Sequence, residues 1–152
     1  MPKFKKLQSH LRDDQTNNAE QDNNTAMESV MYIVVNSDLT KMTKGKTASQ
    51  CAHAVCEVIW HLETHPNSVY NTWKQFSQAK LVKKATEEEM LNIIANCRDR
   101  NNRLSATGDP FWCVHIRDAG LTQIENNSLT ALAFCPIQKC HTPKWLGDLK
   151  LL

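Results

Sequence analysis

The chain has 152 residues and a formal net charge of +2, and 41% of its residues are hydrophobic. This length suits one domain with a buried core, and only four glycines and five prolines exclude a collagen-like chain or one made mainly of linker. The charge is too small to predict a nucleic-acid partner, although it is compatible with one. No run of about 18 apolar residues is present, so we expect no membrane-spanning helix, and the N-terminus lacks the apolar core of a secretory signal.

Residues 1–28 differ in composition from the rest of the chain. The stretch 13–25 (DDQTNNAEQDNNT) has no aliphatic side chain larger than alanine, so we predict a disordered polar tail over 1–28 and one domain over 29–152. Before this stretch, Phe4, Leu7 and Leu11 alternate with basic residues. A short basic amphipathic segment can touch a membrane surface or direct a chain to a mitochondrion, but a loose terminus is the commoner interpretation. We therefore predict a cytoplasmic location.

Six cysteines are scattered along the chain without a C-x-x-C motif. Without a secretory signal, this pattern predicts reduced thiols in the core of a protein from a reducing compartment. Cys135, Cys140 and His141 are the set to weigh as metal ligands, but their spacing matches no common zinc pattern. We expect no metal.

The first half of the domain predicts a strand, a loop and a helix. Residues 31–35 (MYIVV) form a continuous β-branched run, typical of a strand buried on both faces. A polar loop over 36–46 follows, and then Thr47 and Gln50 fit a capping box at the start of a helix that ends before Pro66. The predicted apolar stripe of this helix consists of Ala48, Ala52, Val55, Ile59 and Leu62.

The second half predicts three more strands and two more helices. A short strand over 80–84 precedes a helix that Thr86 caps, and negative charges at 87–89 suit the positive end of that helix. Strands over 111–116 and 129–135 come next, and Pro143 opens a last short helix at its first position. The buried face of the second helix is predicted to be Met90, Ile93, Ile94 and Cys97. We predict an α/β fold, a three-layer sandwich of a four-stranded mixed sheet with helices on both faces.

The loop after the first strand is rich in cations. Lys41, Lys44 and Lys46 lie beside the predicted start of a helix, where unpaired N–H groups and the helix dipole favour an anion. Helical spacing places Gln50 and His53 on the same face as Lys46, opposite the predicted apolar stripe. The alternative, a merely solvated polar face, is equally compatible with this periodicity.

A phosphate-binding loop is the obvious competing interpretation of this segment. The sequence Gly45-Lys46-Thr47 after a strand resembles the end of a Walker A motif. That motif needs a second glycine five positions before Gly45, where this chain has Thr40. Nucleotide hydrolysis is therefore not the favoured function.

The loop after the third strand supplies a carboxylate and a hydroxyl group. Asp118 follows a predicted core strand, and Gly120 permits a tight turn that brings Thr122 towards it. An Asx turn, in which Asp118 binds only its own backbone, is the simpler interpretation of this loop alone. Together with Lys46, the two loops offer a cation, a base and a hydroxyl group, and this set suits ester hydrolysis. No Ser-His-Asp arrangement is evident.

These motifs together resemble the signature of type-2 peptidyl-tRNA hydrolases, the archaeal and eukaryotic class. The resemblance runs from about residue 31 to residue 152 in the family's order, and its separated motifs make it more specific than either loop alone. The matching segments are 34–39 (VVNSDL), 44–54 (KGKTASQCAHA), 118–124 (DAGLTQI), Thr130 and 147–152 (GDLKLL).

The resemblance implies cleavage of the ester that joins a peptide to the 3′ end of tRNA, with peptidyl-tRNA as the partner and no cofactor. It places the family's catalytic lysine, aspartate and threonine on Lys46, Asp118 and Thr122. It implies substrate-binding or pocket-supporting positions nearby, and some family members form homodimers. Gln50, His53 and Thr130 match such positions, and we add the loop cations Lys41 and Lys44 as predicted substrate contacts, because they could compensate for cations that the family pattern has and this chain lacks.

Three departures from the family pattern leave a second function open. Asn36 and Leu121 stand where the family usually has arginine, and Thr43 stands where it usually has glycine. Two missing cations weaken a grip on tRNA phosphates, because each phosphate contact contributes to a salt-dependent affinity. The alternative is a catalytically weak or inactive RNA-binding or interaction module on the same fold.

Overall fold

The computed structural model describes residues 28–104, 111–120 and 124–152. The predicted polar tail therefore lies outside the described residues except for Glu28. The elements of the described part are β1 (Ser29–Asn36), α1 (Lys44–Thr64), α2 (Ser68–Gln75), β2 (Lys80–Ala85), α3 (Glu87–Leu104), β3 (Cys113–Arg117), β4 (Leu129–Phe134), β5 (Ile137–Gln138), a 3-10 turn (Lys139–His141) and α4 (Lys144–Gly147).

A mixed sheet forms the centre of the molecule, with strand order β2-β1-β4-β3. β1 runs parallel to β2 and antiparallel to β4, and β4 is antiparallel to β3. Every residue of β1 and β4 is buried, so both faces of the central strands are covered. The predicted α/β class with a four-stranded mixed sheet is confirmed. A two-residue strand, β5, adds to the start of β1 and was not predicted.

Helix α2 is the second element that the sequence prediction omitted. The side chain of Asn67 caps it by accepting the N–H of Tyr70 at 2.8 Å. Tyr70 and Trp73, three residues apart, bury one face, and the Trp73 indole N–H donates to the Ala79 carbonyl at 2.8 Å. The signal in the sequence that could have predicted this helix was Asn67, a good N-cap residue, followed by two aromatic residues at helical spacing.

Helix α1 begins four residues earlier than predicted. Its N-cap is Thr43, whose hydroxyl group accepts the N–H of Lys46 at 3.2 Å, so the predicted capping box at Thr47 is wrong. Thr47 lies inside the first turn and donates its hydroxyl proton to the Thr43 carbonyl at 3.0 Å. The helix therefore includes Gly45 and Lys46, which the sequence placed in the preceding loop.

The buried face of α1 is also rotated from the predicted one. The buried side chains are Gln50, Ala54, Val58 and Leu62, whereas Ala48 and Ala52 are exposed. Val55 and Ile59 pack against the edge of the core. The alternative of a merely solvated polar face does not hold for Gln50, because this amide is buried and has a buried partner on the sheet.

Helix α3 matches its prediction at its start. Glu89 N–H donates to the Thr86 hydroxyl at 3.2 Å, and Thr86 N–H donates to the Glu89 carboxylate at 2.7 Å, which is a reciprocal capping box. The predicted face is confirmed, with Ile94 half-buried beside three buried residues. In the last helix, Pro143 is the N-cap instead of the first helical residue.

The last residues of the chain cover the outer edge of β2. Lys84 N–H donates to the Lys150 carbonyl at 2.9 Å, and Leu152 N–H donates to the Val82 carbonyl at 3.0 Å. The buried ammonium group of Lys83 donates to the carbonyls of Gly147 and Leu149 at 3.0 and 2.8 Å. Lys83 is therefore held by the C-terminal segment.

None of the six cysteines, all of which are described, forms a disulfide bond, and they are not all in the core. Cys97 and Cys135 are buried, whereas Cys56 and Cys140 are exposed, which corrects the prediction of six core thiols. Cys135 and Cys140 thus lie in different environments, and no cluster of three or more His, Cys, Asp or Glu side chains within the described residues could hold a metal ion. Among those residues, no helix is long and apolar enough to cross a membrane.

Candidate active site

An ion pair between Lys46 and Asp118 joins the two loops that the sequence singled out. Lys46 comes from the first turn of α1, and Asp118 follows directly after β3. The Lys46 ammonium group donates to Asp118 Oδ1, and the two side chains are 15% and 5% exposed. Two residues 72 positions apart in the chain therefore form a largely buried cation–carboxylate pair at the C-terminal end of β3.

The backbone around Asp118 fixes the direction of its carboxylate. Gly120 N–H donates to the second carboxylate oxygen at 3.0 Å, so the predicted Asx turn and the ion pair occur together. The Asp118 main chain also bonds to the loop ahead of β4, donating to the Ser128 carbonyl at 2.9 Å and accepting from Asn127 N–H at 2.7 Å. Asp118 is thus held through both its side chain and its backbone.

The same contacts control the charge of Asp118. The hydrogen bond from Lys46, followed by that from the Gly120 backbone N–H, lowers the pKa of Asp118 below its ordinary 3.8, although partial burial opposes this change. A low pKa keeps the carboxylate ionised at neutral pH and makes it a weak proton acceptor. Asp118 is therefore better suited to orient a water molecule than to remove a full proton from it.

A β-bulge positions a second pair of polar residues, Gln50 and Thr130, close to the Lys46–Asp118 pair in the chain. Ile116 pairs with Ala131 and Arg117 with Leu129, so Thr130 is an extra residue on β4. The fully buried Thr130 hydroxyl lies 2.8 Å from Gln50 Oε1 and 3.1 Å from the Ile116 carbonyl oxygen. Since Gln50 is one turn after Lys46, and Ile116 is two residues before Asp118, this contact ties both halves of the ion pair together.

We expect Thr130→Val to lower stability without changing the shape of the core. The variant removes the hydroxyl group and leaves the buried Gln50 amide without this partner, at a cost of about 1–3 kcal/mol. Thermal and denaturant unfolding measure this change. The exposed Thr40→Val is the matched control, with an expected change within about 0.5 kcal/mol. Equal unfolding free energies for the two variants would contradict a structural role for the Gln50–Thr130 contact.

Three further predicted site residues lie outside this cluster, and a fourth is not among the described residues. His53 is 52% exposed and faces Glu57, with its Nε2 atom 3.5 Å from the carboxylate. Lys41 and Lys44 are exposed. Thr122, like Leu121, lies outside the described residues. The structure thus brings together four of the eight predicted residues: Lys46, Gln50, Asp118 and Thr130.

Two residues near the site have roles that the sequence did not indicate. Asn36 is buried, donates to the Leu129 carbonyl at 2.7 Å and accepts Asp38 N–H at 2.9 Å. The Asp38 carboxylate accepts Glu87 N–H at 2.9 Å at the start of α3. Asn36 therefore braces the loop before Lys46 where the family pattern has arginine. The signal available in the sequence for these roles was an Asn directly after the apolar run 31–35, followed two residues later by an Asp.

Comparisons with known proteins show the family of the chain. The family model described as peptidyl-tRNA hydrolase PTH2 matches residues 29–152. A peptidyl-tRNA hydrolase of Methanococcus maripaludis strain C6 is 40% identical over 121 residues, which cover 79% of this chain and 96% of that protein. A peptidyl-tRNA hydrolase of Saccharolobus islandicus strain L.S.2.15 is 36% identical over 126 residues, covering 80% and 98%.

Proposed function

Because the chain belongs to the peptidyl-tRNA hydrolase PTH2 family, we propose that it hydrolyses the ester between a peptide and the 3′ end of tRNA. Water adds to the ester carbonyl, the bond to the ribose oxygen breaks, and the products are a peptide with a free carboxyl group and a tRNA with a free 3′ hydroxyl group. The observation that carries this proposal is the Lys46–Asp118 pair at the end of β3.

Lys46 is the proposed oxyanion-stabilising group. Addition of water to an ester carbonyl places negative charge on the carbonyl oxygen, and a preorganised cation in a largely buried site stabilises that charge. Only 15% of the Lys46 side chain is exposed, and it lies at the N-terminus of α1, where the helix dipole adds positive potential. The ammonium group can therefore serve the developing oxyanion while it remains paired with Asp118.

Asp118 is the proposed water-orienting group. Its carboxylate accepts hydrogen bonds from Lys46 and Gly120, and a carboxylate has about four acceptor positions, so it can also accept one from a water molecule. The lowered pKa of Asp118 keeps these acceptors charged at neutral pH. Thr122 is the proposed third catalytic group, and its hydroxyl would hold the water or the ester carbonyl.

Other predicted residues take supporting roles. Gln50 and Thr130 are proposed to position the ion pair, since both are buried and bonded to each other. The exposed Lys41 and Lys44, with His53 further along α1, are proposed to contact tRNA phosphates. Three further statements stay predictions: that the chain needs no cofactor, that it is cytoplasmic and that it forms a homodimer.

Release of free tRNA from N-acetyl-aminoacyl-tRNA tests the proposed function. We expect multiple turnovers by the wild-type chain without added cofactor. A folded chain that binds tRNA but releases none would contradict hydrolysis and favour the RNA-binding alternative. Titration with ATP, with no binding expected, checks the rejected nucleotide-binding alternative.

A further inference from the structure

Among the described residues, no strand pairs with the outer side of β3. In the described part of the chain, β4 is the single strand that pairs with β3, which is therefore the edge of the sheet. Trp112 and Cys135 form a bonded position of the β3–β4 ladder, because Cys135 N–H donates to the Trp112 carbonyl at 3.0 Å. Bonded positions alternate along an antiparallel ladder, so the N–H and C=O groups of Cys113 and His115 point away from β4.

A groove lies beside this edge. A cavity of about 180 Å³ separates β3 from α3, and its lining residues are Ile94, Cys97, Arg98, Trp112, Cys113 and His115. It is large enough for an apolar side chain, because a cavity of about 150 Å³ in another protein binds benzene. Contact with the Cys97 thiol and burial raise the pKa of Cys113, so this wall is uncharged. Arg98 and His115 provide a polar rim.

The open edge leads directly to the proposed catalytic centre. β3 ends at Arg117, and Asp118 is the next residue. An unpaired edge next to a groove is the arrangement that binds extended peptides by strand addition, in which main-chain bonds give affinity and pockets accept alternate side chains. Main-chain pairing suits a substrate whose peptide sequence varies, because every residue except proline offers the same N–H and C=O groups.

From this geometry we infer that the peptide part of the substrate pairs as an added strand along the outer edge of β3, with one side chain in the groove against α3. The inference rests on the proposed function. The scissile carbonyl is the C-terminal carbonyl of the peptide and must lie at Asp118. Since Asp118 follows the C-terminal end of β3, the peptide runs parallel to β3.

The length of β3 limits the number of peptide residues that can pair with it and so contribute to substrate binding. Five residues at about 3.3 Å each span about 17 Å, so about five residues of an extended peptide contact the edge. We expect KM to fall as the peptide grows from one to about five residues and then to stay constant. Each added main-chain hydrogen bond is expected to change KM by about fivefold.

The experiment compares peptidyl-tRNAs carrying one to eight residues as substrates of the wild-type, His115→Pro and His115→Ala chains. His115→Pro removes an outward N–H group, and proline is tolerated on an edge strand when its nitrogen faces solvent. His115→Ala keeps that N–H and removes the side chain. We expect the proline variant to lose most of the dependence of KM on peptide length and the alanine variant to keep it.

A second measurement needs no variant. N-methylation of single peptide residues removes one N–H donor at a time, and alternate residues of a strand direct their N–H groups to the same neighbour. We expect methyl groups at every second position to raise KM and those between them to have little effect. A structural defect in the enzyme cannot produce this alternation.

The outcomes separate the inference from the proposed function. Equal kcat/KM for one and five residues, with normal turnover, would overturn strand addition and leave the hydrolase intact. Absence of tRNA release from every substrate would overturn both. If peptide length has no effect and Arg98→Ala weakens binding of deacylated tRNA, the groove binds RNA and the inference is wrong.

Discussion

Replacement of Lys46 by alanine is expected to lower kcat/KM for N-acetyl-aminoacyl-tRNA by about 10²–10³-fold, the usual effect of losing one oxyanion donor. The variant also leaves the nearly buried Asp118 carboxylate without its strongest partner. Asp118→Ala is expected to cause a similar loss, because the water loses its orienting group. Because the two residues act as a unit, the double variant should be little worse than either single one.

The pH dependence of the Lys46→Ala variant shows whether Asp118 is the group whose protonation lowers kcat/KM at acidic pH. In the wild type the pKa of Asp118 is held below 3.8, so its carboxylate is ionised at neutral pH. The carboxylate becomes protonated, and activity is lost, only as the pH falls through that low pKa. Without Lys46 the strongest influence that lowers the pKa of Asp118 is lost, so this pKa rises relative to the wild type. We expect the acidic limb of the residual kcat/KM profile to move to higher pH.

An exposed ion pair elsewhere provides the matched control for this variant. Lys144 and Asp148 are paired at 2.5 Å but are 88% and 63% exposed, so their interaction contributes little. Lys144→Ala is expected to keep wild-type kcat/KM and its pH profile. Activity of Lys46→Ala equal to that of Lys144→Ala would contradict the proposed role of the buried pair.

Substitution of Gly120 by alanine is expected to impair both stability and turnover. Gly120 has a φ of +73°, and an added Cβ would lie 2.6 Å from the Cβ and 2.8 Å from the Cα of Asn126. The backbone must therefore move, and the Gly120 N–H bond to Asp118 is strained or lost. We expect about 1–3 kcal/mol of destabilisation, measured by denaturant unfolding, and a fall in kcat of up to about 10²-fold.

Gly45→Ala is the control for the same chemical change without a clash. An added Cβ at Gly45 meets nothing within 4 Å, and the residue lies within α1. Alanine in a helix is favoured over glycine by up to about 1 kcal/mol, so this variant should be as stable as the wild type or slightly more stable. If Gly120→Ala unfolds at the same denaturant concentration as Gly45→Ala, the tight turn at Asp118 does not need glycine.

The sequence determined the main strands and one helix start because their signals are local. The β-branched run of β1 reports burial on both faces, and the capping box at Thr86 needs only residues within one turn. The motifs that contain Lys46 and Asp118 also identify the family from sequence, because the family match depends on residue types in order.

Tertiary structure decided the start and the orientation of α1. The lysines and the glycine over 44–46 have no apolar periodicity, so a loop was predicted there, but Thr43 caps a helix that includes them. Gln50 reads as polar and exposed in isolation. It is buried because Thr130, 80 residues away, offers a hydrogen-bonding partner, and no local pattern reports such a partner.

The geometry of the candidate site likewise depended on contacts distant in sequence. The sequence by itself determined which residue types belong to the two loops, and it identified Lys46 and Asp118. Only the folded chain decided that these two form a largely buried ion pair, since their charges are 72 positions apart in the chain. The bulge at Thr130 and the open edge of β3 also follow from strand order and register, which pairing between distant segments fixes.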